Sequence, residues 1–223
     1  MTDTIDYRIA EIEKHLSAYS ANGKRMFTTS SFQTHSLVLL HLLSKIDPGI
    51  PVYMINTGYL FPETIRFAEE VCYNFGLELR DLKSATPKSQ QRDEAGRLLF
   101  TSDPDYCCFL NKTNPLDGIL RQHDIWINGI RADQSQTRAA MQIEQPAPHG
   151  TLRYHPMLDW SKQEIWRYIK QNNLPRHPLD ASGYVSIGCE PCTRKPDPAM
   201  DEREARWYGL KKTECGLHTD LVK

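Results

Sequence analysis

Five of the six cysteines in this chain fall into three groups. The groups are the adjacent pair Cys107 and Cys108, the pair Cys189 and Cys192 with two residues between them, and Cys215 near the C-terminal end. Four thiols in two pairs are a typical ligand set for one metal site. A fifth thiol that stands alone is a candidate nucleophile. The sequence therefore predicts a metal centre and a separate reactive group.

The spacing within the pairs distinguishes between kinds of metal site. Cys189 and Cys192 suit zinc, which usually takes cysteines separated by about two to four residues. Two adjacent cysteines reach one tetrahedral ion awkwardly, whereas a cubane iron–sulfur cluster presents separate corners. The spacing thus favours a 4Fe–4S cluster over zinc, and buried free thiols are a third interpretation. Cys72 is predicted to be a core residue, because it lies alone on the apolar face of a predicted helix.

The neighbours of Cys215 favour a reactive thiol. Lys211, Lys212 and His218 would lower its pKa, whereas Glu214 would raise it. Chain ends are mobile unless they are tied down, which suits a group that enters and leaves a site. No other cysteine is close in sequence to act as a resolving partner. We therefore expect a redox partner protein; the alternative is an exposed cysteine without a role.

Three polar segments are predicted at strand ends, where parallel sheets bind their ligands. They span residues 30–36, 57–59 and 129–138. Hydroxyl and backbone N–H groups there would hold a phosphate or a sulfate, and arginines would add charged donors. The first segment contains no glycine and no lysine, which excludes a Walker A loop and a Rossmann fingerprint. The candidate anion-binding residues are Ser30, Ser31, Thr57, Gly58, Arg131 and Arg138.

A second pair of arginines lies close to Cys215 in sequence. Residues 201–208 are compatible with a helix, which would place Arg203 and Arg206 on one face. The two side chains could then clamp a further anionic group. The alternative is a solvated surface pair among acidic neighbours.

Hydrophobic patterning predicts the elements that position these residues. We predict helices over residues 5–16 and 37–46, from Pro62 onward, and after a capping box formed by Ser161 and Glu164. Short apolar runs predict strands over residues 25–29, 51–56, 77–82 and 124–128. Their alternation predicts an α/β fold with a parallel sheet covered on both faces. The region after about residue 175, rich in proline, glycine and charge, is predicted to be a C-terminal appendage.

Composition narrows the functional classes. The 27 Lys and Arg residues against 28 Asp and Glu residues give a formal charge of −1, so no broad attraction to nucleic acid or membranes is expected. No apolar run is long enough to cross a bilayer, and the first residues lack the apolar core of a signal peptide. We expect a cytoplasmic protein with reduced thiols. We predict one domain over residues 1–223, in which residues 201–223 form the segment that carries the nucleophile.

Four stretches of this chain together resemble the assimilatory adenylyl-sulfate (APS) and phosphoadenylyl-sulfate (PAPS) reductases. They are residues 57–64, 131–138, 183–194 and 214–218, within a match from about residue 27 to residue 218. The resemblance implies a parallel-sheet, adenine-nucleotide α-hydrolase-like (Rossmann-like) fold. In that fold, residues 30–36 stand where ATP-using relatives carry a pyrophosphatase loop.

The resemblance also implies a reaction. Cys215 attacks the sulfur of the sulfate group, AMP leaves and an S-sulfocysteine forms. Thioredoxin, or a glutaredoxin, then releases sulfite, as in assimilatory sulfate reduction for cysteine biosynthesis. Lys112 matches a family lysine between cluster and substrate, Arg203 and Arg206 match an anion-binding pair, and we expect a homo-oligomer. One 4Fe–4S cluster per chain would be bound by Cys107, Cys108, Cys189 and Cys192.

This chain carries marks of both branches of the family. The four paired cysteines are typical of APS reductases, whereas residues 30–32 and 58–61 look more like those of PAPS reductases. Ala132 stands where many relatives carry a second arginine, and residues 33–35 match neither branch well. We predict reduction of APS, with PAPS or both substrates as the alternative.

Two rival functions make different demands on the sequence. An ATP-using sulfur transferase acting on RNA would need a glycine-rich pyrophosphatase loop, and residues 30–36 do not provide one. A zinc-stabilised nucleic-acid-binding module would need a basic surface. Residues 189–215 instead balance six Lys or Arg against six Asp or Glu.

Overall fold

The structure is a computed structural model. It describes residues 4–197, 200, 204–207, 209, 212 and 214–218. The side chain of His218 is outside this description. No helix in the described part is long and apolar enough to cross a membrane.

A six-stranded sheet forms the centre of the molecule, with the strand order β3-β2-β1-β4-β6-β5. All neighbouring strands are parallel except β5 and β6, which pair antiparallel at one edge. Because β1 lies between β2 and β4, the chain reverses its direction of winding at this strand. The strands are β1 (Met26–Ser30), β2 (Val52–Ile55), β3 (Leu79–Leu82), β4 (Ile125–Asn128), β5 (Glu144–Pro146) and β6 (Leu152–Tyr154).

Helices cover both faces of this sheet, as the parallel arrangement requires. The helices are α1 (Thr4–Ala21), α2 (Leu37–Ile46), α3 (Pro62–Phe75), α4 (Leu99–Ser102), α5 (Pro104–Cys108), α6 (Asn114–Leu120), α7 (Gln136–Ala139) and α8 (Lys162–Gln171). Buried residues of α1, α2, α3 and α8 share one core with one face of the strands. On the other face, Phe27, Tyr53 and Trp126 pack against Leu116 and Leu120 of α6.

The predicted α/β fold is confirmed, and so are the main elements. Helix α2 has the predicted bounds, and α3 begins at Pro62 with Gly76 in a left-handed conformation just beyond its end. Ser161 and Glu164 make both bonds of the predicted capping box before α8. Strands β5 and β6 were not predicted, because their three-residue sequences contain no apolar run. Cys72 is buried in the core, as predicted.

Among its described residues, the region after residue 175 contains short 3₁₀ turns and isolated β-bridges but no longer element. It is nevertheless fastened to the sheet. The backbone N–H of Ile187 donates to the side chain of Gln33 at 3.0 Å, and the N–H of Glu190 donates to the carbonyl of Tyr59 at 2.7 Å. Segment 186–192 therefore closes over the loops that follow β1 and β2.

The predicted helix over residues 201–208 is wrong for its described part. Glu204 and Ala205 lie in a turn, and Arg206 forms an isolated antiparallel bridge with Thr193. The side chain of Arg206 is buried rather than solvated. The side chain of Arg206 donates hydrogen bonds to the backbone carbonyls of Cys192 and Ile187, and these bonds favour the extended conformation over a helix.

Candidate active site

A cleft of about 570 Å³ opens at the carboxyl ends of β1, β2 and β4. This is the point where the winding of the sheet reverses, which is where open α/β sheets bind ligands. Apolar side chains of α2 and β2 line one part of it, and most of the charged side chains elsewhere in the lining are cationic. The cleft therefore suits a ligand with a flat apolar group at one end and negative charge at the other.

The loop after β1 has a backbone conformation that few residues adopt. Phe32 has φ 53°, in the left-handed region, and its side chain is fully buried. Burial of this ring holds the loop in a conformation that costs a side-chain-bearing residue about 1 kcal/mol. The Oγ of Ser30 accepts the N–H of Phe32 at 3.1 Å, and the Oγ atoms of Ser31 and Ser36 lie 2.9 Å apart. These hydroxyls line the cleft in fixed positions.

The loop after β4 carries two buried arginines. The Nε of Arg131 donates to Asp133 at 2.9 Å, and Asp133 also accepts the backbone N–H of Lys162 at the start of α8. Arg131 is only 3% exposed, so its charge is balanced by a carboxylate at the wall of the cleft. Asp133 thus fixes Arg131 by tying this loop to helix α8.

Arg138 makes a bidentate ion pair with Glu214. Its Nε and Nη2 donate to the two carboxylate oxygens at 3.0 Å each, and both side chains are buried. Ser135 donates to the same carboxylate at 3.2 Å. This ion pair connects the loop after β4 to the segment that carries Cys215.

Cys215 lies in the cleft, half-buried, beside Lys112. The ammonium nitrogen of Lys112 is 3.7 Å from the thiol sulfur. Burial alone would raise the pKa of Cys215, but Lys112, the backbone N–H of Leu217, Arg206 and Lys212 together bring that pKa below its ordinary value. Burial by itself would lower the pKa of Lys112. The neighbouring Cys189, Cys215 and Cys108 outweigh burial and raise this pKa above its ordinary value. Each member of the pair therefore favours the charged form of the other.

Arg206 supports the opposite wall of the cleft. Its Nη1 donates to the carbonyl of Ile187 at 3.1 Å, and its Nε donates to the carbonyl of Cys192 at 3.3 Å. Gly188 makes room for this guanidinium, because a Cβ at that position would lie 2.1 Å from Nη2. Residue 188 must be glycine if the arginine is to keep this place.

The four paired cysteines line one small cavity beside the cleft. Cys107 and Cys108 end helix α5, and a π-helical turn, Phe109–Thr113, follows and carries Lys112. Burial, and then the neighbouring Cys108, raise the pKa of Cys107 to about 11, and burial also raises the pKa values of Cys108 and Cys192. The tertiary fold thus brings the two pairs together from positions about 80 residues apart, the span from residue 108 to residue 189.

Two polar side chains beside this cavity lie within hydrogen-bonding distance of cysteine sulfur atoms. The Oγ of Thr57 lies 3.2 Å from the sulfur of Cys189, and the amide of Asn111 donates to the sulfur of Cys107 at 3.6 Å. The hydroxyl of Tyr59, which also lines the cavity, is buried without a hydrogen-bond partner among the described residues. A buried hydroxyl normally has a partner, so this group fits a cavity that receives an acceptor. Within the described ranges, no three His, Cys, Asp or Glu side chains form a group that could hold a metal ion.

Most of the predicted site residues lie around one cleft. Gly58 is an exception, because it is exposed and is not among the described residues that line the cleft. Its N–H already donates to Asn56 and its carbonyl accepts from Lys88, so it presents no free donor. Arg203 lies outside the described residues, as does Lys211. Those that line the cleft are Ser30, Ser31, Thr57, Lys112, Arg131, Arg138, Arg206, Cys189 and Cys215.

Two charged residues near the candidate nucleophile, Cys215, were not predicted from the sequence as site residues. Arg153 is fully buried in β6, with its guanidinium 4.2 Å from the ring centre of Trp126. Burial and then Arg138 lower its pKa, whereas Cys215 and Glu214 raise it, and it stays a cation. Glu214 was considered only for its effect on the thiol. The sequence feature that could have indicated Arg153 is a single charged residue between two apolar ones, Leu152 and Tyr154.

A family model described as the phosphoadenosine phosphosulfate reductase domain matches residues 25–195. This chain belongs to that family. The match covers β1 to the second cysteine pair and ends before Arg206, Glu214 and Cys215. The predicted family is thereby confirmed.

Members of the phosphoadenosine phosphosulfate reductase family with different names are similar to this chain. An adenosine 5'-phosphosulfate reductase of Rhodococcus erythropolis is 38% identical over 202 residues, which are 90% of this chain and 82% of that protein. A phosphoadenosine 5'-phosphosulfate reductase of Gloeobacter violaceus is 35% identical over 200 residues, 88% of this chain and 83% of that protein. Relatives named for the two activities are therefore about equally similar to this sequence.

A solved structure of the same family shares the fold. The crystal structure of phosphoadenylyl-sulfate (PAPS) reductase from Candida auris, in a phosphate complex, aligns with a TM-score of 0.65 and 22% identity. The alignment covers 85% of this chain and 96% of that chain. The adenine-nucleotide α-hydrolase-like fold predicted for this reductase-family chain is confirmed.

Proposed function

We propose that this chain reduces adenylyl sulfate to sulfite and AMP, with thioredoxin or a glutaredoxin as the reductant. One observation carries the proposal: Cys215, with a lowered pKa, lies 3.7 Å from Lys112 inside a cleft lined by cationic side chains. The family and the names of its members supply the substrate class. A cytoplasmic location and assembly into a homo-oligomer are part of the proposal.

The residues present are suited to nucleophilic attack on a sulfate group. The Cys215 thiolate would attack the sulfur of adenylyl sulfate, forming the S–S bond of an S-sulfocysteine while the bond from sulfur to the phosphate oxygen breaks. AMP leaves with that electron pair. Lys112 and Arg206 would balance the charge on the sulfate oxygens, whereas Arg131 and the hydroxyls of Ser30 and Ser31 would hold the nucleotide phosphate.

The second half of the reaction needs an external dithiol. One thiolate of reduced thioredoxin attacks the Cys215 sulfur, and sulfite leaves with the electrons of the broken S–S bond. The second thioredoxin thiolate then cleaves the mixed disulfide, which restores the Cys215 thiol and leaves oxidised thioredoxin. Sulfur accepts two electrons, and the dithiol supplies both. No other cysteine near Cys215 in sequence could resolve it.

We propose an iron–sulfur cluster as the resident cofactor, and the four thiols that line the cysteine cavity support this proposal. Four thiols around one apolar cavity would supply one ligand to each iron, and the Tyr59 hydroxyl would gain a sulfur acceptor. A bound 4Fe–4S cluster would supply a local anionic field that acts on the charge of Lys112. The ligands would be Cys107, Cys108, Cys189 and Cys192.

PAPS is the second candidate substrate. A relative named for that activity is 35% identical to this chain, only slightly less than the relative named for APS. The presence of four cysteines at one cavity favours APS, because cluster cysteines are typical of that branch. Arg203, which the resemblance pairs with Arg206, is proposed as a further anion-binding residue.

The decisive experiment is an assay of sulfite release. Anaerobically purified protein with reduced thioredoxin is given APS or PAPS at equal concentration. We expect at least about tenfold higher kcat/KM for APS. Cys215→Ser should abolish sulfite formation, whereas Cys72→Ala, which removes a cysteine remote from the cleft, should preserve it. Preference for PAPS would replace the substrate assignment, and no sulfite from either nucleotide would refute the reductase function.

A further inference from the structure

A carboxylate lies next to the candidate nucleophile, inside a cleft whose other charged lining is mostly cationic. The side chain of Glu214 is 3% exposed and faces the cleft that also holds Lys112, Arg131 and Arg206. A buried negative charge in this position opposes the binding of an anionic substrate. Its presence therefore requires a structural or mechanistic reason.

The contacts of Glu214 supply a reason. Two oxygens accept from Arg138 in the planar, bidentate arrangement that gives carboxylate pairs their specificity. Ser135 donates to Oε2 at 3.2 Å. The backbone N–H of Cys215 donates to Oε1 at 3.0 Å. The carboxylate thus joins the loop after β4 directly to the backbone of the nucleophile.

Each of the three guanidinium nitrogens of Arg138 donates to a protein group. Its Nε and Nη2 donate to Glu214, and its Nη1 donates to the side chain of Gln134. Its own backbone N–H donates to the Oγ of Ser135, which caps helix α7. Every guanidinium nitrogen therefore has a protein acceptor, which holds the side chain against segment 214–217 at the wall of the cleft.

Apolar packing of Leu217 also holds the segment that carries Cys215. Leu217 lies against the core formed by Phe27, Leu116 and Trp126. This contact is apolar and partly exposed, whereas the Glu214–Arg138 pair is ionic and buried. Removing one member of a buried pair leaves an uncompensated charge, so the ionic contact should dominate docking of the segment.

We infer that Glu214 and Arg138 form a latch that docks segment 214–217 in the cleft, and that Arg138 positions Cys215 instead of binding the substrate. The latch brings the thiol to Lys112 for attack on the substrate. It must open for the reductant, because an external dithiol has to reach the half-buried sulfur of Cys215. The inference rests on the proposed function for its role in turnover, but not for the docking itself.

Docking is tested without any substrate. The rate at which a maleimide joined to a bulky polymer modifies Cys215 is measured by mass spectrometry in Glu214→Ala, Arg138→Ala and the double variant. We expect each single variant to react about tenfold faster than the parent, and the double variant to react no faster than either single one. Cys72 must stay unmodified, which shows that the core is intact. Arg121→Ala, which removes an exposed ion pair with Asp117, is the matched control.

Additive increases in the single and double variants, or no increase in either single variant, would overturn the latch. The role of Arg138 is tested separately by binding of adenylyl sulfate to Cys215→Ser protein, which cannot react. Adding Arg138→Ala should change the dissociation constant by less than about threefold, and in active protein Arg138→Ala should lower kcat much more than it raises KM. A loss of affinity above about tenfold, with unchanged maleimide reactivity, would make Arg138 a substrate ligand. If the parent protein binds no adenylyl sulfate, the proposed function fails while the maleimide result still decides the latch.

Discussion

The ammonium nitrogen of Lys112 lies 3.7 Å from the sulfur of Cys215, although 103 residues separate them in sequence. Lys112 projects from the π-helical turn that directly follows Cys108. It therefore stands between the cysteine cavity, which it also lines, and the proposed nucleophile, Cys215. Short π-helical segments within helices are frequent at functional sites, because they rotate the side chains that follow.

Lys112→Met should move the ionisation of Cys215 to higher pH. Lys112 is the foremost influence that lowers the pKa of this thiol, and burial opposes it. Because Lys112 lowers the pKa of Cys215, the thiolate persists at lower pH when the lysine is present. Without the lysine, the midpoint of the pH curve for alkylation should move to higher pH. The measurement is the pH dependence of iodoacetamide alkylation of Cys215, followed by mass spectrometry. Sulfite formation should fall by about 100-fold, because a charged group that stabilises the transition state is lost.

Lys14→Met is the matched control for that prediction. Lys14 is an exposed lysine on α1 that forms an ion pair with its helix neighbour Glu11. Its replacement should leave the alkylation curve in place. An unchanged curve in Lys112→Met as well would show that the lysine does not control the thiol.

Cys108→Ser should remove the cofactor together with the activity. Losing one of four thiols around the cavity leaves one corner of a cluster without its ligand. We expect iron and acid-labile sulfide to fall from about four each per chain in the parent to less than about one. Cys72→Ala should retain the parent's iron content, since Cys72 lies in the core formed with α1, α2, α3 and α8. Stoichiometric zinc without sulfide in the parent protein would contradict the cluster.

Gly188→Ala should displace Arg206 and weaken the site. The added Cβ would lie between 2.1 and 2.6 Å from three guanidinium atoms, so the side chain must move. The bonds to the carbonyls of Ile187 and Cys192 would then be lost or lengthened. We expect kcat/KM for adenylyl sulfate to fall at least about tenfold, which corresponds to about 1.4 kcal/mol.

Gly118→Ala is the comparison for the glycine prediction. Gly118 lies within α6, and a Cβ there would meet nothing within 4 Å. Alanine is the better helix former, so this variant should be as active as the parent and equally or more stable. Equal activity in both alanine variants would mean that Arg206 does not contribute to the reaction.

Ser161→Ala should lower stability without affecting the chemistry. The Oγ of Ser161 accepts the N–H of Glu164 at 3.2 Å, and Glu164 accepts the N–H of Ser161 at 2.8 Å. Loss of such a cap costs about 1 kcal/mol, or about 2–4 °C in Tm for a chain of this size. Thermal unfolding monitored by circular dichroism measures the shift. Ser17→Ala, on the exposed face of α1, should not lower Tm, and an equal loss in both variants would argue against the cap.

Local sequence was sufficient to predict the elements with strong signals. Helix α2 was predicted because Leu37–Ile46 is apolar nearly all round, and the cap of α8 because Ser161 and Glu164 have the required spacing. Strands β5 and β6 were missed because three-residue strands lack a recognisable pattern. Strand β6 forms by pairing with β4, a contact that no local sequence window contains, and β5 in turn pairs with β6 at the edge of the sheet.

The residues of the candidate site also divide into those that local sequence predicted and those that tertiary contacts decided. Residue types and spacing singled out the two cysteine pairs, the isolated Cys215 and the arginines after β4. They also suggested a helix around Arg206, which residues 204–207, the described part of that stretch, do not form, because contacts with backbone carbonyls distant in sequence decide that conformation. Gly58 looked like an anion-binding residue by its place after β2, yet Asn56 and Lys88 already occupy its backbone groups.

By itself, the sequence determined the fold class, the family and the chemistry available, because these depend on patterning and on which functional groups the chain carries. Only the tertiary structure decided which groups meet. It placed Lys112 against Cys215, paired Glu214 with Arg138 and joined two distant cysteine pairs at one cavity. Such pairings depend on the crossing of strands and the closing of loops between residues far apart in the chain. Spacing along a sequence does not contain that geometry.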